Sequence, residues 1–78
     1  MKLKILSLKG AEFDGEAKGV NVKTTAGEIT VLDHHLSLIS MLEKGKAIIF
    51  KDQGKQELFI NSGFLEVERG NRVTLLIN

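Results

Sequence analysis

The chain contains no cysteine, no proline, no tryptophan and no tyrosine. Without cysteine there is no disulfide to staple the fold and no thiolate to act as nucleophile or metal ligand. Without proline, the turns rest on glycine, asparagine and aspartate. Four phenylalanines are the whole aromatic complement, a poor platform for stacking bases or holding a sugar. An excess of either charge is also missing: 11 basic and 10 acidic residues leave a net charge of +1. They are scattered without a like-charge run, which excludes a nucleic-acid arm and a polybasic membrane patch. No apolar run approaches the roughly 20 residues of a membrane-spanning helix. The start, Met1-Lys2-Leu3-Lys4-Ile5, enters a patterned segment at once and does not read as a signal peptide. These features point to a cytosolic chain, or one held at a membrane only through a partner.

What is present suits one small ordered domain spanning residues 1–78, with 42% hydrophobic residues. A domain of this size buries only about 60% of the surface that its unfolded chain exposes, so its margin of stability is thin. Short apolar segments alternate with glycine-bearing turns, the pattern of an all-β domain. Lys2 to Leu8 reads as a first strand ended by Gly10, and Phe13-Asp14-Gly15 as a brief second element and turn. Val20 and Val22 share one face of a strand over Lys18–Lys23, and Ile29 and Val31 one face over Glu28–Leu32. Leu36 to Leu42 offers both a single helical turn and an extended reading, and is too short for a helix. Lys46–Lys51, the turn Asp52-Gln53-Gly54-Lys55 and Glu57–Asn61 form a hairpin. Gly63–Glu68 and Arg72–Ile77 form another, with Gly70-Asn71 supplying the left-handed residues of its turn. One open sheet of eight or nine such strands would leave an apolar face wet; two layers packed face to face solve the burial problem.

Candidate chemistry is thin. His34-His35 is the one feature that tempts toward metal binding, but adjacent residues of an extended segment point to opposite faces and chelate one ion poorly. A phosphate loop fails: Gly45-Lys46 is followed by Ala47, and Ser40 stands where the first glycine is needed. Glu12 with Asp14, and Glu66 with Glu68, lie two apart on strands and read as solvated faces rather than as a glycosidase pair. No catalytic residue, cofactor site or metal site is expected.

The order and spacing of several segments carry more. Lys2-Leu3-Lys4-Ile5, Phe13-Asp14-Gly15-Glu16, Gly27-Glu28-Ile29-Thr30-Val31-Leu32, His35, Leu38-Ile39, Leu42, Gly45, Gly63-Phe64-Leu65-Glu66-Val67 and Val73-Thr74-Leu75 occur in turn along the chain. Together they resemble the epsilon subunit of the bacterial F-type ATP synthase, over essentially the whole chain. The resemblance implies a flattened β-sandwich of about ten short strands, in line with the two layers argued from burial. It further implies a non-catalytic place at the foot of the central stalk, on the cytoplasmic face of the bacterial inner membrane. There the partners would be the gamma subunit and the c ring, with no nucleic acid, no direct membrane contact and no obligate homo-oligomer.

By position, the resemblance implies that Glu28 faces the c ring. It implies that the segment from Asp33 through His34 and His35 to Leu38 lies near gamma and the ring. The family usually reads Pro-Gly-His where this chain has Asp33-His34-His35, often has proline at Ser37, and has paired glycines where this chain has Ser62-Gly63. The family's two C-terminal helices, their braking role and their nucleotide site have no counterpart within residues 1–78, a pattern that fits both a naturally short form and one domain taken from a longer chain. Two other readings compete. One is a free-standing β-sandwich adaptor for another protein, which fold alone does not exclude. The other is a small metal- or sugar-handling enzyme, resting only on the histidines and the acid pairs. Binding to gamma separates the first, and metal titration the second.

Overall fold

Glycine and asparagine punctuate the chain into nine strands: β1 (Lys2–Ser7), β2 (Gly10–Glu16), β3 (Gly19–Thr24), β4 (Gly27–Leu32), β5 (Leu38–Leu42), β6 (Gly45–Lys51), β7 (Gly54–Ile60), β8 (Gly63–Glu68) and β9 (Arg72–Ile77). The computed structural model covers residues 1–78. The all-β expectation holds, with nine strands rather than ten. Gly70 and Asn71 have φ of 84° and 61°, the left-handed pair expected of the β8–β9 turn.

Three boundaries differ from the sequence reading. The second element is a full strand of seven residues, in which Gly15 pairs with Leu3 instead of turning. Its inward residues are only Phe13 and Gly15, so the apolar period is weak although the backbone is fully paired. Leu38–Leu42 is a strand, held to β8 along its whole length. The return strand β7 begins at Gly54, three residues earlier than Glu57, and Lys55 pairs with Phe50 within the ladder.

β3 is where one sheet becomes two layers. Along one edge it pairs with β4 from Gly19 to Thr24. Along the other it pairs with β6 through Gly19, Val20 and Asn21, but with β5 only at Thr24↔Leu42. Two loop bonds flank that junction, Thr25 N–H to Met41 O at 3.0 Å and Glu43 N–H to Lys23 O at 2.8 Å. Beyond it the chain curls over, so β2-β1-β9-β8-β5 forms one layer and β4-β3-β6-β7 the other. β1 and β9 are parallel and every other neighbouring pair is antiparallel.

Fifteen buried apolar residues from both layers form one cluster. Leu3, Ile5, Leu65 and Leu75 enter it from the first layer, and Val20, Val22, Val31 and Ile49 from the second; all are at most 1% exposed. Each such side chain contributes about 1.5–3 kcal/mol on leaving water, against the chain entropy of a domain this small. The alternation that buries them turns the intervening residues outward. The result is a slab of 25 × 23 × 19 Å with two outer faces and two ends of loops.

Candidate partner-binding surface

At one end of the slab, the loop after β4 meets the start of β1 and the β8–β9 turn. The Asp33 carboxylate accepts from the Met1 ammonium at 2.7 Å and from the Asn71 side-chain amide at 3.3 Å. The ammonium also donates to Ala17 O at 2.9 Å. These partners, the ammonium first and then Asn71, hold the Asp33 carboxyl below its ordinary pKa, because both favour the charged form. The other side of Asn71 accepts from the His34 N–H at 2.8 Å. That bond pins His34 at φ 62°, in the left-handed region. This is where the resembling family has glycine, so a histidine here keeps a glycine's conformation with a neighbour's help. His35 follows with its Nδ1 2.8 Å from Leu36 O and its N–H bonded to Leu32 O at 3.2 Å. Both imidazoles lie in an open groove with Ser37, Glu68, Arg69 and Asn71. No group of three His, Cys, Asp or Glu side chains stands together as a metal site.

Glu28 lies at the other end. It is the second residue of β4 rather than a loop residue, opposite Lys23, and its carboxylate accepts from the Asn21 amide at 3.2 Å. The preceding turn is closed by Thr24, whose hydroxyl donates to Gly27 O at 2.7 Å and accepts from the Ala26 N–H at 3.1 Å. Five residues of extended chain separate Glu28 from Asp33, about 17 Å. The structure therefore brings Asp33, His34 and His35 together and leaves Glu28 apart from them. Leu38, the remaining candidate, is half-buried and packs against the core, so only its outer part is open to solvent.

Two features were not visible to sequence reasoning. Asn71 was expected only as a turn residue, yet it bonds both Asp33 and His34 of the 33–35 loop. The second is an apolar row. Across the outer face of the first layer, the register sets Ala11, Leu6, Leu76, Phe64 and Met41 side by side. Phe64, Leu76 and Met41 are 51–55% exposed, and Leu8 beyond the row is 97% exposed. The local clue is the pair of adjacent apolar residues in Phe64-Leu65 and Leu75-Leu76, one for each face of the layer.

The whole chain, residues 1–78, matches the family described as ATP synthase, Delta/Epsilon chain, beta-sandwich domain. It belongs to that family. Among its relatives, the ATP synthase epsilon chain of Endomicrobium trichonymphae is 37% identical over 70 residues, covering 90% of this chain and 51% of the relative. That of Bordetella parapertussis is 40% identical over 73 residues, covering 92% and 51%. The chain thus spans about half the length of the curated relatives it matches. Among solved structures, a chain of the Euglena gracilis mitochondrial ATP synthase (OSCP/F1/c-ring) superposes with a TM-score of 0.92. The overlap takes in 99% of this chain and 49% of that one, at 22% identity. A chain from the central stalk and c-ring of the Tetrahymena thermophila enzyme gives 0.86, over 99% and 62%, at 11% identity. The delta/epsilon β-sandwich is therefore this chain's fold as well as its family.

Proposed function

We propose that this domain is a non-catalytic rotor element of an F-type ATP synthase, joining the gamma subunit to the membrane ring of c subunits on the cytoplasmic face of the membrane. Membership of the delta/epsilon family across residues 1–78 carries the reading. The geometry agrees with it. A coupling element must grip two partners at once, and the two polar candidate sets lie at opposite ends of β4. In this reading Glu28 faces the c loops, where an exposed carboxylate pairs with a basic or amide group at a solvated rim. The loop of Asp33, His34 and His35, with Leu38 beside it, faces gamma. Its geometry is fixed beforehand by Asn71 and the Met1 ammonium, so little ordering entropy is lost on docking. Membrane contact comes only through the ring, and no cofactor enters.

The test is co-purification with the gamma subunit of the same organism, followed by reconstitution into the holoenzyme. A one-to-one complex is expected, weakened by His35→Ala and unchanged by Glu28→Ala. In the holoenzyme, Glu28→Ala should instead lower proton-driven ATP synthesis relative to ATP hydrolysis. Failure of the folded wild-type domain to bind gamma overturns the rotor reading in favour of a free-standing adaptor.

A further inference from the structure

The outer face of the β2-β1-β9-β8-β5 layer is ordered in three rows across the strands. The apolar row (Ala11, Leu6, Leu76, Phe64, Met41) is followed by Asp14, Lys4, Thr74, Glu66 and Ile39, and then by Glu16, Lys2, Arg72 and Glu68. Bases therefore stand on β1 and acids on β8, on either side of the central strand β9. From this pattern we infer that the face is self-complementary and pairs with the same face of a second copy of this chain.

Two aligned sheets can stack about a two-fold axis in only two ways. An axis across the strands lays the apolar row of one copy on the charged row of the other. An axis along the strands keeps each row on itself and reverses the strand order about β9. In that arrangement Lys4 of one copy faces Glu66 of the other, Lys2 faces Glu68, Leu6 faces Phe64, and Leu76 faces Leu76. Symmetry doubles each unlike pair. On the axis itself Leu76, Thr74 and Arg72 each meet their own kind; of these only Arg72 is charged, and Glu68 sits directly opposite it within the same copy, offsetting that charge. The apolar row leaves water and the charges choose the orientation, which is the division of labour expected of such contacts.

Size sets the strength. Five strands by three rows cover roughly 400–500 Å² per copy, short of the roughly 800 Å² per partner of a stable interface. The dimer is weak and reversible, a way for unassembled copies to cover the row until another partner takes it. This inference stands on the register alone and is independent of the rotor reading.

Sedimentation equilibrium of the chain from about 10 µM to about 1 mM tests it. The weight-average mass should climb from 8.6 kDa toward twice that value. Lys4→Glu, which turns two attractive pairs repulsive, should weaken dimerisation at least about tenfold, as should Glu66→Lys. The double swap Lys4→Glu with Glu66→Lys should restore it to within about threefold of wild type, because each acid again meets a base. Both side chains lie on the outer face, and circular dichroism checks that each variant folds. A wild type that stays at 8.6 kDa throughout overturns the proposal. So does a dimer indifferent to the single swaps, which would come from edge pairing at β2, β4 or β7, and so does a double swap that remains monomeric.

Discussion

His34 and Asn71 hold each other in place. They are the two non-glycine residues with left-handed backbone, at φ 62° and 61°, and the N–H of the first donates to the side-chain oxygen of the second. A side chain in that region costs about 1 kcal/mol, which glycine avoids. His34→Gly should therefore leave stability unchanged or raise it by up to about 1 kcal/mol, while His34→Val should lower it by about 1–2 kcal/mol. Asn71→Ala removes both bonds and the tolerant residue, and should cost about 1–2 kcal/mol. Urea unfolding of the three variants beside wild type measures all of these.

Acid should loosen the same corner. Asp33 has its pKa lowered by the Met1 ammonium and Asn71. Its contribution is thus fully present above the ordinary carboxylate range and is lost as pH falls through the lowered value. Stability should fall more steeply below about pH 4 in wild type than in Asp33→Asn, which removes the titrating group. Amide shifts of His34 and Asn71 followed by NMR between about pH 6 and pH 2 should report the change first.

Gly63 leaves no room for a side chain. A Cβ there would run into the Leu76 carbonyl oxygen and stand 3.0 Å from the Ile77 Cα, and backbone on a paired strand does not give way cheaply. Gly63→Ala should cost about 2–4 kcal/mol. Gly10→Ala meets nothing within 4 Å and should cost about 1–2 kcal/mol, from its positive φ alone. Thermal unfolding should separate the two by several degrees.

Neighbouring residues on β8 should behave as opposites. Leu65 is fully buried, and Leu65→Ala should cost about 3 kcal/mol. Phe64 is half-exposed on the outer face, and Phe64→Ser should cost less than about 1 kcal/mol. Denaturant midpoints would show the contrast, and equal losses would mean that the outer row is packed in the isolated domain.

The hairpins were legible in the sequence because their turns carry local chemistry: Gly70-Asn71 demands left-handed backbone, and Asp52 to Gly54 a tight reversal. β5 was not, because Leu38 and Leu42 point inward while Ile39 and Met41 point to the outer face, so alternation is erased. The candidate site was half legible. Asp33, His34 and His35 share one loop and stay together in space, and the family resemblance drew attention to them. Their hold on Asn71, 38 positions from Asp33, and the distance from Glu28 both depend on long-range register, which no local signal carries. The apolar row depends on it most, since it exists only once β1 and β9 lie side by side.

That parallel contact ties the first strand of the domain to the last, and it has a kinetic consequence. As the chain leaves the ribosome, β1 and β2 can close as a local hairpin, yet the other edge of β1 stays open until Arg72–Ile77 has emerged. Closing that contact fixes a loop spanning nearly the whole domain, a non-local pairing of the kind that slows folding by its entropy. A nascent chain stalled anywhere before β9 therefore exposes Leu3 and Ile5 to solvent and to chaperones. In this topology, maturation waits for the final strand.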